Sequence, residues 1–152
     1  MSVSVRPAGV EDLDELAPLF DAYRQFYGSE SDVPAARAYL AARLRAGEST
    51  VLVANGASGP LLGFTQLYPS FCSLTLAPIF VLYDLFVSPD ARGAGVATAL
   101  LDAARELGRA SGCSRLELST AVTNVTAQRL YLAHGWQLDE EYLHYELPLP
   151  VS

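Results

Sequence analysis

Residues 81–108 read VLYDLFVSPDARGAGVATALLDAARELG, and the fold follows from how that stretch is divided. Val81-Leu82-Tyr83 and Leu85-Phe86-Val87 form an apolar run interrupted by one charge, Asp84, as expected of a strand covered on both faces. Ser88-Pro89-Asp90 ends the run. From Ala94 onward, Val96, Leu100, Leu101, Ala104 and Leu107 recur at helical spacing, with Asp102, Arg105, Glu106 and Arg109 on the opposite side. The joint between them, Arg92-Gly93-Ala94-Gly95-Val96-Ala97-Thr98, places two glycines where a helix begins. There the first backbone N–H groups have no intrahelical acceptor and the helix dipole is positive. Such a joint suits an anion, and a pyrophosphate above all.

A Gly-x-Gly pair alone serves ordinary turns equally well, so the alternatives matter. A Walker loop would close on Gly-Lys-Ser/Thr, whereas Val96-Ala97-Thr98 stands here. A dinucleotide fingerprint needs a third glycine where Thr98 stands, and it follows its strand directly, whereas Ser88 to Arg92 intervene here.

Working outward, Val3-Ser4-Val5-Arg6 alternates like a first strand ending at Pro7. A helix is expected from about Glu11, with Leu13, Leu16, Leu19, Phe20, Tyr23 and Phe26 on its apolar face and Pro18 as a place for a kink. Gly28 to Asp32 is a polar turn, and a second helix runs over 35–46 to Gly47. Thr50 to Ala54 and Leu61 to Tyr68 read as a hairpin around Asn55-Gly56 and Gly59-Pro60. Pro69 to Pro78 fits either a continuation of that strand or a turn. After the long helix, Arg115 to Thr120 alternates as a strand, and Val125 to Ala133 is a short helix capped by Asn124. Trp136-Gln137-Leu138 and Tyr142 to Leu147 read as a closing hairpin about Asp139-Glu140-Glu141.

Composition sets outer bounds. The chain has 152 residues, enough for one domain over 1–152 with a single core. Apolar residues make up 51% and charged ones 18%, which excludes a disordered chain. A net charge of −7 argues against nucleic acid as a partner, because phosphate contacts need clustered Lys and Arg. Two cysteines, Cys72 and Cys113, have neither metal-type spacing nor a disulfide framework, so no metal and a reduced, cytoplasmic setting are expected. Met1 to Arg6 does not read as a leader, and the longest apolar run, broken by Pro78 and Asp84, is too short to span a bilayer; no membrane partner is expected.

Two motifs carry a resemblance. Arg92-x-x-Gly95-x-Ala97, after the strand Leu82 to Val87 and the Ser88-Pro89 turn, resembles the pyrophosphate motif of the GNAT superfamily of acyl-CoA N-acyltransferases. Downstream, Asn124-x-x-Ala127, Tyr131 and Gly135-Trp136 are similar to that superfamily's second motif, in the same order and at the same separation. The resemblance implies an α/β (α+β) fold: a mixed, mostly antiparallel sheet of six to seven strands with helices on both faces, in the order β-α-α-β-β-β-α-β-α-β-β. It also implies acetyl-CoA as co-substrate, held through Arg92, Gly93, Ala94, Gly95, Val96, Ala97 and Thr98 at the diphosphate. Leu85, Phe86 and Val87 would offer backbone to the pantetheine beside a bulge in the central strand. Asn124 and Ala127 would lie near the cofactor arm.

By the same resemblance Tyr131 is the general acid for the leaving thiolate; its position alone favours an aromatic that packs the helix to the core. Asp84 is the only carboxylate in the central strand, and burial would raise its pKa toward that of a useful base. A structural carboxylate, with a water chain as base, is the competing reading. Polyamine-acetylating relatives carry Glu where this chain has Tyr83, which weakens the case for polyamines. Tyr27, Glu30 and Tyr83 are candidate contacts to a cationic acceptor by charge and cation–π attraction. The expected activity is acetyl transfer to a primary amine of a small molecule by direct attack. A protein or peptide N-acetyltransferase and a non-catalytic acyl-CoA sensor are the alternatives. The apolar closing hairpin permits a homodimer.

Overall fold

The computed structural model describes residues 2–57 and 59–151. They fall into two compact units, Met1–Ser119 and Thr120–Ser152, taken separately below.

The first unit is built on a five-stranded sheet in sequential order: β1 (Ser4–Pro7), β2 (Thr50–Asn55), β3 (Leu61–Cys72), β4 (Ala77–Val87) and β5 (Leu116–Glu117). Neighbours from β1 to β4 pair antiparallel, while β4 and β5 pair parallel. Helices α1 (Leu13–Phe26), α2 (Val33–Arg45) and α3 (Val96–Ala110) complete the unit. A single 3-10 turn, Val10–Asp12, leads into α1, and Pro18 lies within that helix. Asp32 caps α2 by accepting from Ala35 N at 3.1 Å, and Pro34 follows in the first turn, where a missing N–H costs nothing.

The main apolar cluster joins Leu13, Leu16 and Phe20 of α1 and Ala36, Leu40 and Ala41 of α2 to Val51, Val53, Phe64 and Phe86 of the sheet. Val96, Leu100, Leu101 and Ala104 bury the apolar stripe of α3, as their spacing predicts. Close packing is explicit at two glycines. A Cβ on Gly63 would lie 2.7 Å from Phe86 O, and one on Gly108 would lie 2.9 Å from Leu116 Cδ2.

The segment 69–78, ambiguous in sequence, belongs to strands: β3 runs through Pro69 to Cys72, turns at Ser73 to Leu76, and returns as β4. Pro69 is tolerated because β2 pairs with β3 only as far as Leu67, so no ladder bond is lost on that side.

The second unit contains α4 (Val125–Ala133), capped by Asn124, whose side chain accepts from Ala127 N at 3.2 Å. The mixed, mostly antiparallel sheet is as expected, but with five strands rather than six or seven. Among the described residues the closing hairpin is not formed: 136–151 carries no strand. Asp139 instead makes a local turn, its Oδ1 accepting from Glu141 N at 2.9 Å and Tyr142 N at 3.2 Å. Pro148 and Pro150 remove ladder donors further on. The strand expected over 115–120 is likewise reduced to Leu116–Glu117.

Candidate active site

The β3–β4 ladder carries one irregularity. Gln66 pairs with Asp84 and Leu67 with Leu82, so Tyr83 is an extra residue with no partner on β3. This is a β-bulge in the middle of the central strand. On the other side of β4, pairing with β5 covers only Phe80 and Val81. Leu82 to Val87 therefore have no ladder partner on β5, which ends at Glu117.

Asp84 is 5% exposed and Gln66 fully buried. Gln66 Nε2 donates to Asp84 Oδ2 at 2.7 Å, and Thr65 Oγ1 donates to Asp84 O at 2.7 Å. The Tyr23 hydroxyl, from α1, bonds to the same carboxylate and lies 3.4 Å from Tyr83 O. Burial raises the Asp84 pKa above the usual carboxylate range, and the bonds from Gln66 and Tyr23 partly offset that rise. Burial, then the charge of Asp84, pushes Tyr23 up as well, so Tyr23 stays protonated as a donor.

Asp84 forms part of the wall of a cavity of about 500 Å³. Its rings come from α1 (Phe20, Tyr23, Tyr27 just past its end), α2 (Tyr39), β3 (Tyr68) and β4 (Tyr83). Tyr39 and Tyr68 share a hydroxyl–hydroxyl bond of 2.6 Å, and the Tyr68 and Tyr83 rings meet edge to face at 5.5 Å. Of the three residues expected near the acceptor, Tyr27 and Tyr83 line this cavity and Glu30 does not. Gln66, Tyr23 and Tyr39 went unrecognised in the sequence. Gln66 had a signal, as the one side-chain amide in the mostly apolar run Leu61 to Tyr68.

The glycine joint follows β4 directly. Pro89–Ala91 is a 3-10 turn, and Gly93 and Gly95 take φ of 82° and 80°, with Gly95 at the N-cap of α3. Nothing lies within 4 Å of a Cβ placed on either, so these glycines are required by backbone conformation rather than by space. No side chain caps α3. Val96 and Ala97 stand in its first turn, ahead of the bond from Ala99 N to Gly95 O at 3.0 Å. Arg92 fastens the loop to β4: its Nε donates to Val87 O at 3.4 Å and its guanidinium stands 5.9 Å from the Phe86 ring.

In the second unit Tyr131 lies on α4, its ring 6.0 Å from that of Trp136. Trp136 N donates to Tyr131 O at 3.0 Å, and Gly135 ends the helix at φ 89°. Asn124 Oδ1 is engaged in the cap described above. Thus Asp84, Leu85 to Val87 and Arg92 to Thr98 belong to the first unit, and Asn124, Ala127 and Tyr131 to the second. Among the described residues no helix is long and apolar enough to cross a membrane.

A strand with a mid-length bulge, running on past its short parallel neighbour and leading through glycines into α3, is the arrangement that the resemblance to acyl-CoA transferases implies. The description "Acetyltransferase (GNAT) family" fits residues 14–136, and the chain belongs to that family of acyltransferases, which generally draw on acetyl-CoA. It is 41% identical over 150 residues to the uncharacterized N-acetyltransferase YhfO of Bacillus subtilis (strain 168), covering 99% of this chain and 100% of that one. A crystal structure of a probable acetyltransferase matches with a TM-score of 0.92 at 40% identity, covering all of both chains. An aminoglycoside N(6')-acetyltransferase type 1 of Stenotrophomonas maltophilia is 29% identical over 108 residues, 69% of this chain and 71% of that one.

Proposed function

We propose that this acetyltransferase moves the acetyl group of acetyl-CoA to the primary amine of a small molecule by direct attack. One observation carries the reading: the buried Asp84 borders an aromatic cavity on the same strand that leads into the glycine joint. In this reading the amides of Gly93 to Thr98, with Arg92, hold the diphosphate of the co-substrate. Backbone groups of Leu85, Phe86 and Val87, unpaired toward β5, hold the pantetheine arm as an added strand would. The resemblance assigns Asn124 and Ala127 to the same arm.

An amine attacks only when neutral. Asp84, its basicity raised by burial, takes the ammonium proton directly or through one water. The free lone pair then adds to the thioester carbonyl, and collapse of the tetrahedral adduct expels the CoA thiolate. In this reading the motif match gives Tyr131 the role of protonating that sulfur, and the proton shed by the adduct's nitrogen restores the phenol. The amide and free CoA leave, and Asp84 loses its proton to solvent.

The test is release of free thiol from acetyl-CoA across a panel of primary amines, run beside calorimetric binding of CoA. Turnover on a small amine that falls at least ~10²-fold in Asp84→Asn supports the reading. CoA binding with no turnover on any amine leaves a sensor, and turnover confined to peptide amines leaves a peptide N-acetyltransferase.

A further inference from the structure

The cavity beside Asp84 is specific about charge as well as shape. Six rings line it, yet Asp84 is the only carboxylate among its lining residues and Arg24 the only cation. The acids in and just beyond the second half of α1 do not line the cavity. Asp21 is 3% exposed and accepts from Ser31 Oγ and Asp32 N, both at 2.7 Å. Asp32 caps α2. Glu30 does not line the cavity. A ligand with several ammonium groups would thus meet one carboxylate and then a guanidinium, and each further charge would be desolvated without a partner.

The rings offer the opposite kind of contact. Phe20 and Tyr39 stack at 6.0 Å, Tyr23 and Tyr27 meet edge to face at 5.1 Å, and Tyr68 and Tyr83 do so at 5.5 Å. Such walls suit a flat apolar body, and their faces attract a single ammonium on its way to Asp84.

Resting on the reading that this cavity receives the acceptor, we infer that the acceptor is a monoamine carried on an aromatic or similarly flat apolar body, not a polycation such as a polyamine or aminoglycoside. Arg24 is the specificity-determining residue in this assignment. It disfavours a second positive charge and tolerates a neutral or anionic distal end.

The experiment measures binding and turnover separately, with phenylethylamine, spermidine and kanamycin as probes. Binding is read by tyrosine fluorescence of the full chain with CoA present. Phenylethylamine should bind at least ~10-fold tighter than either polycation, and Tyr27→Ala, at an exposed ring, should erase most of that margin. Arg24→Glu should raise spermidine affinity ~10-fold or more, a gain that misfolding cannot produce. Spermidine or kanamycin binding as tightly as phenylethylamine to the unaltered protein would overturn the inference, as would an Arg24→Glu variant with no gain. Thiol release reports on the other reading: preferential phenylethylamine binding without any release keeps the pocket assignment and removes the acyl-transfer role.

Discussion

Gln66 and Asp84 face each other across the β3–β4 ladder, and the amide of one donates to the carboxylate of the other at 2.7 Å, both side chains being buried. The bond is one of two that hold the Asp84 pKa below where burial alone would set it. Gln66 Oε1, also buried, has no partner among the described residues, so the amide is oriented by its donor end.

Gln66→Leu should therefore move the Asp84 pKa further upward. In a pH profile of kcat/KM, the acidic limb of the variant should lie at higher pH than that of the parent, while CoA affinity stays unchanged. An unmoved limb would mean that Asp84 is not the group whose ionisation limits the rate.

Asp84→Asn tests the same residue through folding. The folded-state pKa of Asp84 lies above its unfolded value, so its contribution to stability is fully present below the unfolded pKa and is lost as pH rises through the folded one. The neutral Asn does not suffer that loss. Thermal melts should show Asp84→Asn gaining on the parent as pH rises from about 4 to 8, even as it loses activity. A difference in Tm independent of pH would contradict the raised pKa.

Tyr131→Phe keeps the ring against Trp136 and removes the hydroxyl. Turnover should fall by about 10²-fold with little change in CoA affinity. Equal losses in both would assign Tyr131 to packing.

Two glycines separate strain from crowding. Gly95→Ala meets no atom within 4 Å but must hold φ near 80°, which costs about 1–2 kcal/mol, and it should also weaken CoA binding. Gly63→Ala has ordinary backbone and would bring a Cβ to 2.7 Å from Phe86 O, so about 1–3 kcal/mol should be lost through overpacking. Denaturant unfolding with calorimetric CoA titration distinguishes the two.

Much of the frame was legible because it is local. The stripe of α3, the Asn124 cap and the Asp84 interruption each depend on neighbours close in sequence. The aromatic cavity was legible only at Tyr27 and Tyr83, because its rings arrive from α1, α2, β3 and β4, and only long-range pairing brings them together. Tyr23 lay on an apolar helix face and read as core. The closing segment misled for a related reason: alternation over Tyr142 to Leu147 marks a chain able to be a strand, but a ladder also needs a partner. Pro69 hid the length of β3 because its cost depends on whether that side of the strand is paired, a fact of topology.

The unpaired Tyr83 also acts as a phase change along β4. Side chains alternate sides of a sheet, yet Leu82 and Asp84, two apart, match Leu67 and Gln66, which are adjacent and so point oppositely. Removing one residue there would restore a single parity, and either the aspartate or everything before it would be turned over to the wrong layer. The position of Asp84 is thus encoded by a count as much as by an identity, and a one-residue deletion at 83 would displace it where many substitutions nearby would leave it in place.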